Sequence, residues 1–423
     1  MRLRDAPGRA NGLVVPTRQR LPLLFECALD VIARHRAASE PLDRVAAAVA
    51  RAHRLGPRER AALGDLVFAW AHRRAVADER IGEALARRGG RAPPVRERDL
   101  CALLLAQRAT SGAPDARARQ ALDASLAALL HDDAPAVGSA LPAWLDARLR
   151  AERDDAPALL EALGRPAPVG LALDPARAAV DELVAAVGAQ GALAVPSPLL
   201  RSAVRVLGRV RLARLPPALR DAVWPMDEGS QIIARALDAR PGERVLDLCA
   251  GAGIKARLLL QTGASVVAAD LGAERVERAP SAAARVVTDG TRPGLRARSF
   301  DKVLLDAPCS GTGTLRRAPD LAYRLRDDDV PGMAELQGRL LGAALTLVRP
   351  GGIVIYATCS LLRAENEAVV EAALARTPGL ARTSLSALWR DQVMLDDEGA
   401  GELRLSPHRH GTDGFYVAAL RAP

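Results

Sequence analysis

Lysine is almost missing from this chain: of 59 basic residues only Lys255 and Lys302 are not arginine. Aromatic residues are also few, 11 in 423, so platforms for stacking unpaired nucleobases are scarce. No apolar run approaches the length that spans a bilayer, and no membrane partner is expected. At the N-terminus, Met1-Arg2-Leu3-Arg4 is basic, but Asp5, Pro7 and Arg9 follow where a secretion signal would place its apolar stretch. A cytoplasmic monomer is expected. The five cysteines (Cys27, Cys101, Cys249, Cys309 and Cys359) are an odd number without a Cys-x-x-Cys pair. That argues against a disulfide framework or a structural zinc site, so no metal is expected.

What is present describes a globular protein of two or three domains, 49% apolar and 26% charged. Its positive charge is unevenly placed. Residues 1–150 carry 25 Arg against 17 Asp plus Glu, a balance of +8, and the remaining 273 carry 34 basic and 33 acidic residues, a balance of +1. A basic segment attached to a near-neutral body is the footprint of a nucleic-acid binder, although an Arg-rich solvated surface would look the same. The two lysines stand out against the arginine bias. Lys255 lies in a Gly-rich loop, and Lys302 opens a strand leading to a cysteine; a compact ammonium does work that a planar guanidinium cannot.

Three regions follow from periodicity. Residues 1–135 read as helices: Leu24, Phe25, Ala28 and Ile32 form one stripe, and Leu63, Leu66, Val67 and Trp70 another after Gly56-Pro57. Leu100 to Leu105 mark a later helix, with breaks at Gly89 to Pro94 and Gly112 to Pro114. Residues 136–225 read as a small α+β extension, with a helical stretch from Leu141 to Leu163 and short strands near Val169–Leu173, Ala192–Val195 and Arg205–Val210. From 226 to 423 strands and helices alternate, which predicts a mostly parallel sheet with right-handed crossovers. Strands are expected at Arg244–Leu248, Ser265–Ala269, Arg285–Thr288, Lys302–Leu305 and Ile353–Ala357. A helix should run from Met333 to Leu347 and stop at Pro350-Gly351-Gly352, and Gly414–Ala418 should add an antiparallel strand near the edge.

Two loops carry the chemistry. Asp306-Ala307-Pro308-Cys309-Ser310-Gly311-Thr312-Gly313 follows one strand, and Tyr356-Ala357-Thr358-Cys359-Ser360 follows another, 50 residues later. In an open α/β sheet, ligands and reactive groups gather beyond the carboxyl ends of strands. Two thiols there, beside a carboxylate, suggest covalent chemistry on an electrophilic carbon. Two small buried residues are the plain alternative.

Upstream, Val245-Leu246-Asp247-Leu248 runs into Cys249-Ala250-Gly251-Ala252-Gly253-Ile254-Lys255. Glycines let backbone N–H groups approach a ligand, and a helix start favours negative charge. Asp270, nineteen residues after Gly251, can accept hydrogen bonds from ribose hydroxyls. Gly251-x-Gly253-x-x-Ala256 also fits a dinucleotide fingerprint, so this loop alone leaves NAD and S-adenosylmethionine open. The thiols favour methyl transfer to cytosine. Carbon 5 of that electron-poor ring is a weak nucleophile until a thiolate adds at carbon 6 and makes it an enamine. A base then removes the carbon-5 proton and the thiol leaves, while an acid near nitrogen 3 stabilises the charge that develops.

The two loops, with Arg316-Arg317-x-Pro319-Asp320, Glu365-Asn366, Asp227-Glu228-Gly229-Ser230-Gln231 and Asp413-Gly414-Phe415, resemble the Nop2/Sun family of RNA cytosine-5 methyltransferases. The helical first third is similar, in layout and charge, to the NusB-like RNA-binding domain of bacterial members acting on small-subunit ribosomal RNA. The resemblance implies a Rossmann-like class I methyltransferase domain with a seven-stranded sheet, preceded by an all-α domain. It implies Cys359 as nucleophile, Cys309 as the group assisting release of the methylated base, and Asp306 as the residue that binds the cytosine edge and supplies the acidic contact. Cys249, Ala250, Gly251, Ala252, Gly253, Ile254, Lys255, Asp270, Asp289 and Asp306 would hold S-adenosylmethionine. Arg316, Arg317 and Lys255 would contact RNA, which the resemblance implies to be 16S ribosomal RNA. Tyr323 and Tyr356 are candidates for base stacking by location, with burial the expected role of Tyr356.

The chain departs from the family's pattern on the cofactor side. Ala252, Ile254 and Ala256 replace Pro, Gly and Thr in the loop, and Pro280 cuts the helix after Asp270 to about two turns. An RNA-binding assembly factor on a decayed methyltransferase scaffold is therefore a second reading, and an NAD-dependent oxidoreductase a third.

Overall fold

A computed structural model describes residues 21–88, 95–111, 141–389, 393, 395 and 401–423. The Gly-Pro breaks expected near 89–94 and 112–114 lie outside these residues. The chain divides into two compact units, the first drawn from Met1–Ala151, Asp155–Arg165 and Leu315–Leu325, the second from the rest.

The first unit is helical: Leu21–Ala38, Leu42–Ala52, Pro57–Arg88 and Val95–Ser111, followed by Ala143–Glu152 and Ala156–Leu163. Pro57 opens its helix, where its missing N–H costs nothing. The expected stripes close on one core, with Ile32, Leu63, Val67 and Trp70 almost fully buried. Leu315–Leu325 also belongs here. The Asp320 carboxylate accepts the Leu42 N–H at 3.2 Å, and the Tyr323 hydroxyl accepts the Ala75 N–H at 3.0 Å. The Arg74 guanidinium lies 4.4 Å from the Tyr323 ring centre. Tyr323 is thus committed within this unit and is no open stacking platform for a base.

In the second unit a four-stranded antiparallel sheet runs β2-β3-β1-β4: Leu193–Pro196, Ala203–Leu207, Val169–Leu173 and Val223–Pro225. The larger sheet follows. Its parallel strands are β5 (Arg244–Asp247), β6 (Ser265–Asp270), β7 (Ala284–Val287), β8 (Phe300–Asp306) and β9 (Val348–Thr358). Antiparallel β10 (Ala381–Arg382), β11 (Glu402–Leu405) and β12 (Phe415–Arg421) complete it. Seven strands lie along the path β10-β12-β9-β8-β5-β6-β7, and β11 pairs with β12. β12 is thus antiparallel and second from the edge of that path, as its sequence suggested, with only the two-residue β10 outside it and β11 added alongside.

Two sequence expectations give way. Pro350-Gly351-Gly352 does not end a structural element: the helix Asp329–Leu347 stops earlier, and β9 runs through all three residues. The cause is an irregularity, Phe300 pairing with Val348 but Lys302 with Ile353, which bulges the strand around Gly351 at φ +71°. The helix after Asp270 is a single turn, Ala273–Val276, shorter than the two turns expected. Lys302 also proves structural. It is buried at the amino end of β8, donates to the Asp238 carbonyl, and sits 3.1 Å from Glu243.

Candidate active site

Register brings the two cysteine loops together. In the parallel β8–β9 pair Leu305 faces Tyr356 and Asp306 faces Ala357, so both strands end at one level. Cys309 lies three residues beyond that level and Cys359 two. Their sulfurs stand 3.3 Å apart and both side chains are partly accessible. The Cys309 thiol is pushed well above its ordinary value, first by the hydrogen bond to Cys359, then by burial and by the charges of Cys359 and Glu365.

A buried polar network fixes this geometry. Glu365, fully buried, accepts from the Ser310 N–H at 2.8 Å, the Ser310 and Ser360 hydroxyls at 2.5 Å each, and the Gln337 amide at 3.0 Å. Asn366 accepts from the Thr358 hydroxyl at 2.5 Å and donates to the Ser360 carbonyl at 3.0 Å. Tyr356 is buried, as expected, and its hydroxyl donates to the Glu365 carbonyl at 2.5 Å. Gly313 donates to the Cys359 carbonyl at 2.8 Å, and Gly414 donates to the Gly313 carbonyl at 2.9 Å. Sequence reasoning noted Glu365-Asn366 and Asp413-Gly414-Phe415 without a role for them. The readable signal was the repeat of Cys-Ser in both loops, since both serines turn toward one acid.

Asp306 ends β8, and its carboxylate receives Lys255 Nζ at 2.5 Å, with both side chains largely buried. Burial alone would lower the lysine's pKa. Asp306, and more weakly Asp247 and Cys359, outweigh it and raise the value, so the ammonium is held charged. Lys255 opens the helix Ile254–Leu260 behind Gly253, which caps that helix in the left-handed conformation at φ +71°. A Cβ on Gly253 would lie 2.6 Å from the Ala279 Cβ and 2.8 Å from the Pro280 ring. The shortened segment after Asp270 therefore packs directly on the loop. Over Gly251 a Cβ would meet nothing within 4 Å, so space for a ligand remains. Ile254, which stands where the family's loop has Gly, is half exposed.

The Asp270 carboxylate accepts the N–H groups of Gly251 and Gly272 at 2.8 Å each and the Arg275 guanidinium at 2.6 Å. Burial alone would raise its pKa; those three donors hold it below the usual carboxylate range. Asp289 is exposed and closes its own turn through the Thr291 N–H and hydroxyl. Sequence reading missed Asp247. It is fully buried at the end of β5, neither carboxylate oxygen has a well-formed hydrogen bond among the described residues, and burial, only partly offset by Lys255 and the Ala256 backbone, pushes its pKa up to about 7. Cys249 beside it is pushed up to about 12, by burial first and then by Asp247, Asp270 and Asp306. Arg316, expected at an RNA phosphate, is buried in the helical unit, and Arg317 is half-buried. Among the described residues no cluster of His, Cys, Asp or Glu could hold a metal, and no helix is long and apolar enough to cross a membrane.

An open, mainly parallel sheet with a glycine turn after its first strand and an acid ending the second is a layout shared by dinucleotide binders and class I S-adenosylmethionine-dependent methyltransferases, and the paired thiols at its carboxyl edge favour the latter class. Residues 234–421 match the family model described as 16S rRNA methyltransferase RsmB/F. Ribosomal RNA small subunit methyltransferase B of Xanthomonas campestris pv. campestris is 36% identical over 399 residues, 86% of this chain and 89% of that protein. A methyltransferase homolog from Pyrococcus horikoshii is 27% identical with TM-score 0.52, over 64% of this chain and 91% of that one. NSun6 from Pyrococcus horikoshii, solved with SFG, shares the fold at TM-score 0.57 and 19% identity, over 66% and 98%. The chain belongs to the Nop2/Sun family of RNA cytosine-5 methyltransferases, in the RsmB/F branch with a NusB-like helical domain. It is an S-adenosylmethionine-dependent enzyme acting on RNA, which sets aside the oxidoreductase and decayed-scaffold readings.

Proposed function

We propose that the chain methylates carbon 5 of a cytidine in 16S ribosomal RNA, as a cytoplasmic monomer, with Cys359 as nucleophile and Cys309 as the group that assists release. The observation carrying this reading is the pair of sulfurs at 3.3 Å beside the Lys255–Asp306 ion pair, all at one sheet edge. The relative from Xanthomonas campestris, by its name an enzyme of the small ribosomal subunit RNA, supports the choice of substrate.

Cofactor residues fit the reading. The open space over Gly251, the backbone of residues 249–253 and the Asp270 carboxylate would hold S-adenosylmethionine, which supplies an electrophilic methyl group when bound. Asp289, closed on its own turn, would play a lesser part in that binding. Cys359 adds to carbon 6, and the electron pair displaced from the ring's double bond activates carbon 5. The acidic hydrogen at the cytosine edge is carried by Lys255 Nζ, while Asp306, its ion-pair partner, accepts from the base's amino group. After methylation the carbon-5 proton passes to a base, the carbon 5–carbon 6 double bond re-forms, and the Cys359–carbon 6 bond breaks with its electrons returning to sulfur. Cys309, its sulfur 3.3 Å from that of Cys359, would serve this last stage.

Bisulfite sequencing of 16S ribosomal RNA with and without the protein tests the substrate: one cytidine protected only when the protein is present is expected, and no protected site would defeat the reading. Cys359→Ala should abolish methylation without trapping RNA. Cys309→Ala should accumulate RNA covalently attached through Cys359. An adduct with Cys359→Ala but not with Cys309→Ala would reverse the two roles.

A further inference from the structure

We propose that Glu365 is a positioning residue for methyl transfer: one buried carboxylate gathers the two cysteine loops and sets the separation of the Cys309 and Cys359 sulfurs. The proposal rests on the reading of those thiols as the reacting groups.

Geometry supports it. The loops follow different strands, and strand register brings them only to a common level. Beyond the strand ends backbone pairing between the loops thins to the Ala307 N–H on the Ala357 carbonyl and the Gly313 N–H on the Cys359 carbonyl, neither of which involves Cys309, so a further device must hold Cys309 against Cys359. Glu365 supplies it from a third place in the chain. Its Oε1 accepts the Ser310 N–H and the Gln337 amide, and its Oε2 accepts both serine hydroxyls. Ser310 directly follows Cys309, and Ser360 directly follows Cys359. The carboxylate therefore touches the neighbour of each sulfur and no sulfur itself. Four donors on one buried acid are the complement that its two oxygens can take, and no described cation pairs with it. The Thr312 hydroxyl, 3.3 Å from Ser310 and 3.4 Å from Ser360, closes the same knot and accepts the Leu361 N–H at 2.8 Å. Removing the acid would strand buried donors on both loops at once, so the two would relax independently.

The full chain offers a direct measure of sulfur geometry, the rate at which dibromobimane bridges Cys309 to Cys359, read by peptide mass spectrometry. Glu365→Ala is expected to slow bridging about 10-fold and turnover at saturating cofactor and RNA about 100-fold, because displacing reacting groups by about an ångström costs that order. S-adenosylmethionine affinity should stay within about 3-fold, since the cofactor loop follows a different strand. Glu365→Gln keeps the length and one acceptor oxygen and should restore bridging to within about 3-fold of the parent and turnover to within about 10-fold. If Glu365→Ala loses cofactor binding, and with it the fold, Ser360→Ala replaces it, removing only the donor on the Cys359 side. Bridging should then slow about 3-fold. Parent-like bridging in the deciding variant would overturn the role of Glu365 alone. Slowed bridging with undiminished turnover would overturn the catalytic reading of the thiols, and the proposal with it.

Discussion

Cys249 sits in the cofactor loop with its thiol pushed up to about 12, by burial first and by Asp247, Asp270 and Asp306 after it. A thiol in that state is a poor nucleophile at neutral pH, and the Cys309 thiol, also pushed up, shares that property. Iodoacetamide at pH 8 should therefore label Cys249 and Cys309 slowly in the folded protein; rapid labelling of Cys249 would contradict this. Asp247 makes a second claim. Its carboxyl titrates at about 7 in the folded protein and near 3.8 unfolded, so between those values the folded state holds a proton that the unfolded state has lost. Its contribution is most favourable below pH 4 and is lost as pH rises toward 7. Asp247→Asn should thus be more stable than the parent by roughly 1–3 kcal/mol at pH 8, with the difference vanishing near pH 4. Urea midpoints at the two pH values check both sign and window.

Among elements, the short ones carry the constraint. Gly313 lies in the single turn Thr312–Thr314, where a Cβ would strike the Gly414 carbonyl and lie 2.8 Å from the Cys359 carbonyl. Its N–H and carbonyl join the Pro-Cys loop to the Thr-Cys loop and to the approach of β12. Gly313→Ala should cost about 2–3 kcal/mol by overpacking and lower turnover more than cofactor affinity. Gly253→Ala should do the reverse. Its left-handed backbone and its contact with Ala279 and Pro280 make any side chain costly there, and S-adenosylmethionine binding measured by calorimetry should weaken while bridging of the thiols is unchanged. Equal losses in both readouts for both variants would show that the two loops do not act separately.

On the scale of the molecule, positive charge and reacting groups belong to different units. The balance of +8 lies in residues 1–150, and Arg51, Arg54 and Arg58 of that region are exposed. Replacing these three with Gln should weaken RNA binding and flatten its salt dependence, the slope falling by about 0.7 for each phosphate no longer neutralised, without altering cofactor affinity. An unchanged salt slope would assign phosphate neutralisation to other residues. Truncation at residue 135 would be a poorer test, because Leu315–Leu325 leaves the methyltransferase part of the sequence after Thr314 and folds with the helices. Without Leu42 and Ala75 it would lack the N–H groups that Asp320 and Tyr323 accept.

Strand alternation, the glycine turn with Asp270 and the two cysteine loops were legible because each is a local pattern, with period, turn chemistry or strand-end position written in adjacent residues. The helical stripes were legible for the same reason. Nothing local marks which acid will meet which donor. Glu365, Ser310 and Ser360 are brought together only when β8 and β9 pair in parallel, and the orphaned carboxyl of Asp247 becomes unusual only once burial removes its water. The same holds for the two lysines: Lys255 finds Asp306 across 51 residues, whereas Lys302, equally distinctive in the sequence, turns to Asp238 and Glu243 at the opposite end of β8. Arg316 and Tyr323, which looked like RNA contacts, are buried or committed because their segment folds with helices more than 200 residues earlier. Sequence by itself determined the elements, the family and the two thiols, since those depend on near neighbours along the chain. Tertiary structure alone decided partnership and burial, since both depend on contacts between residues far apart in sequence, and burial and partners set the charge state of each site group.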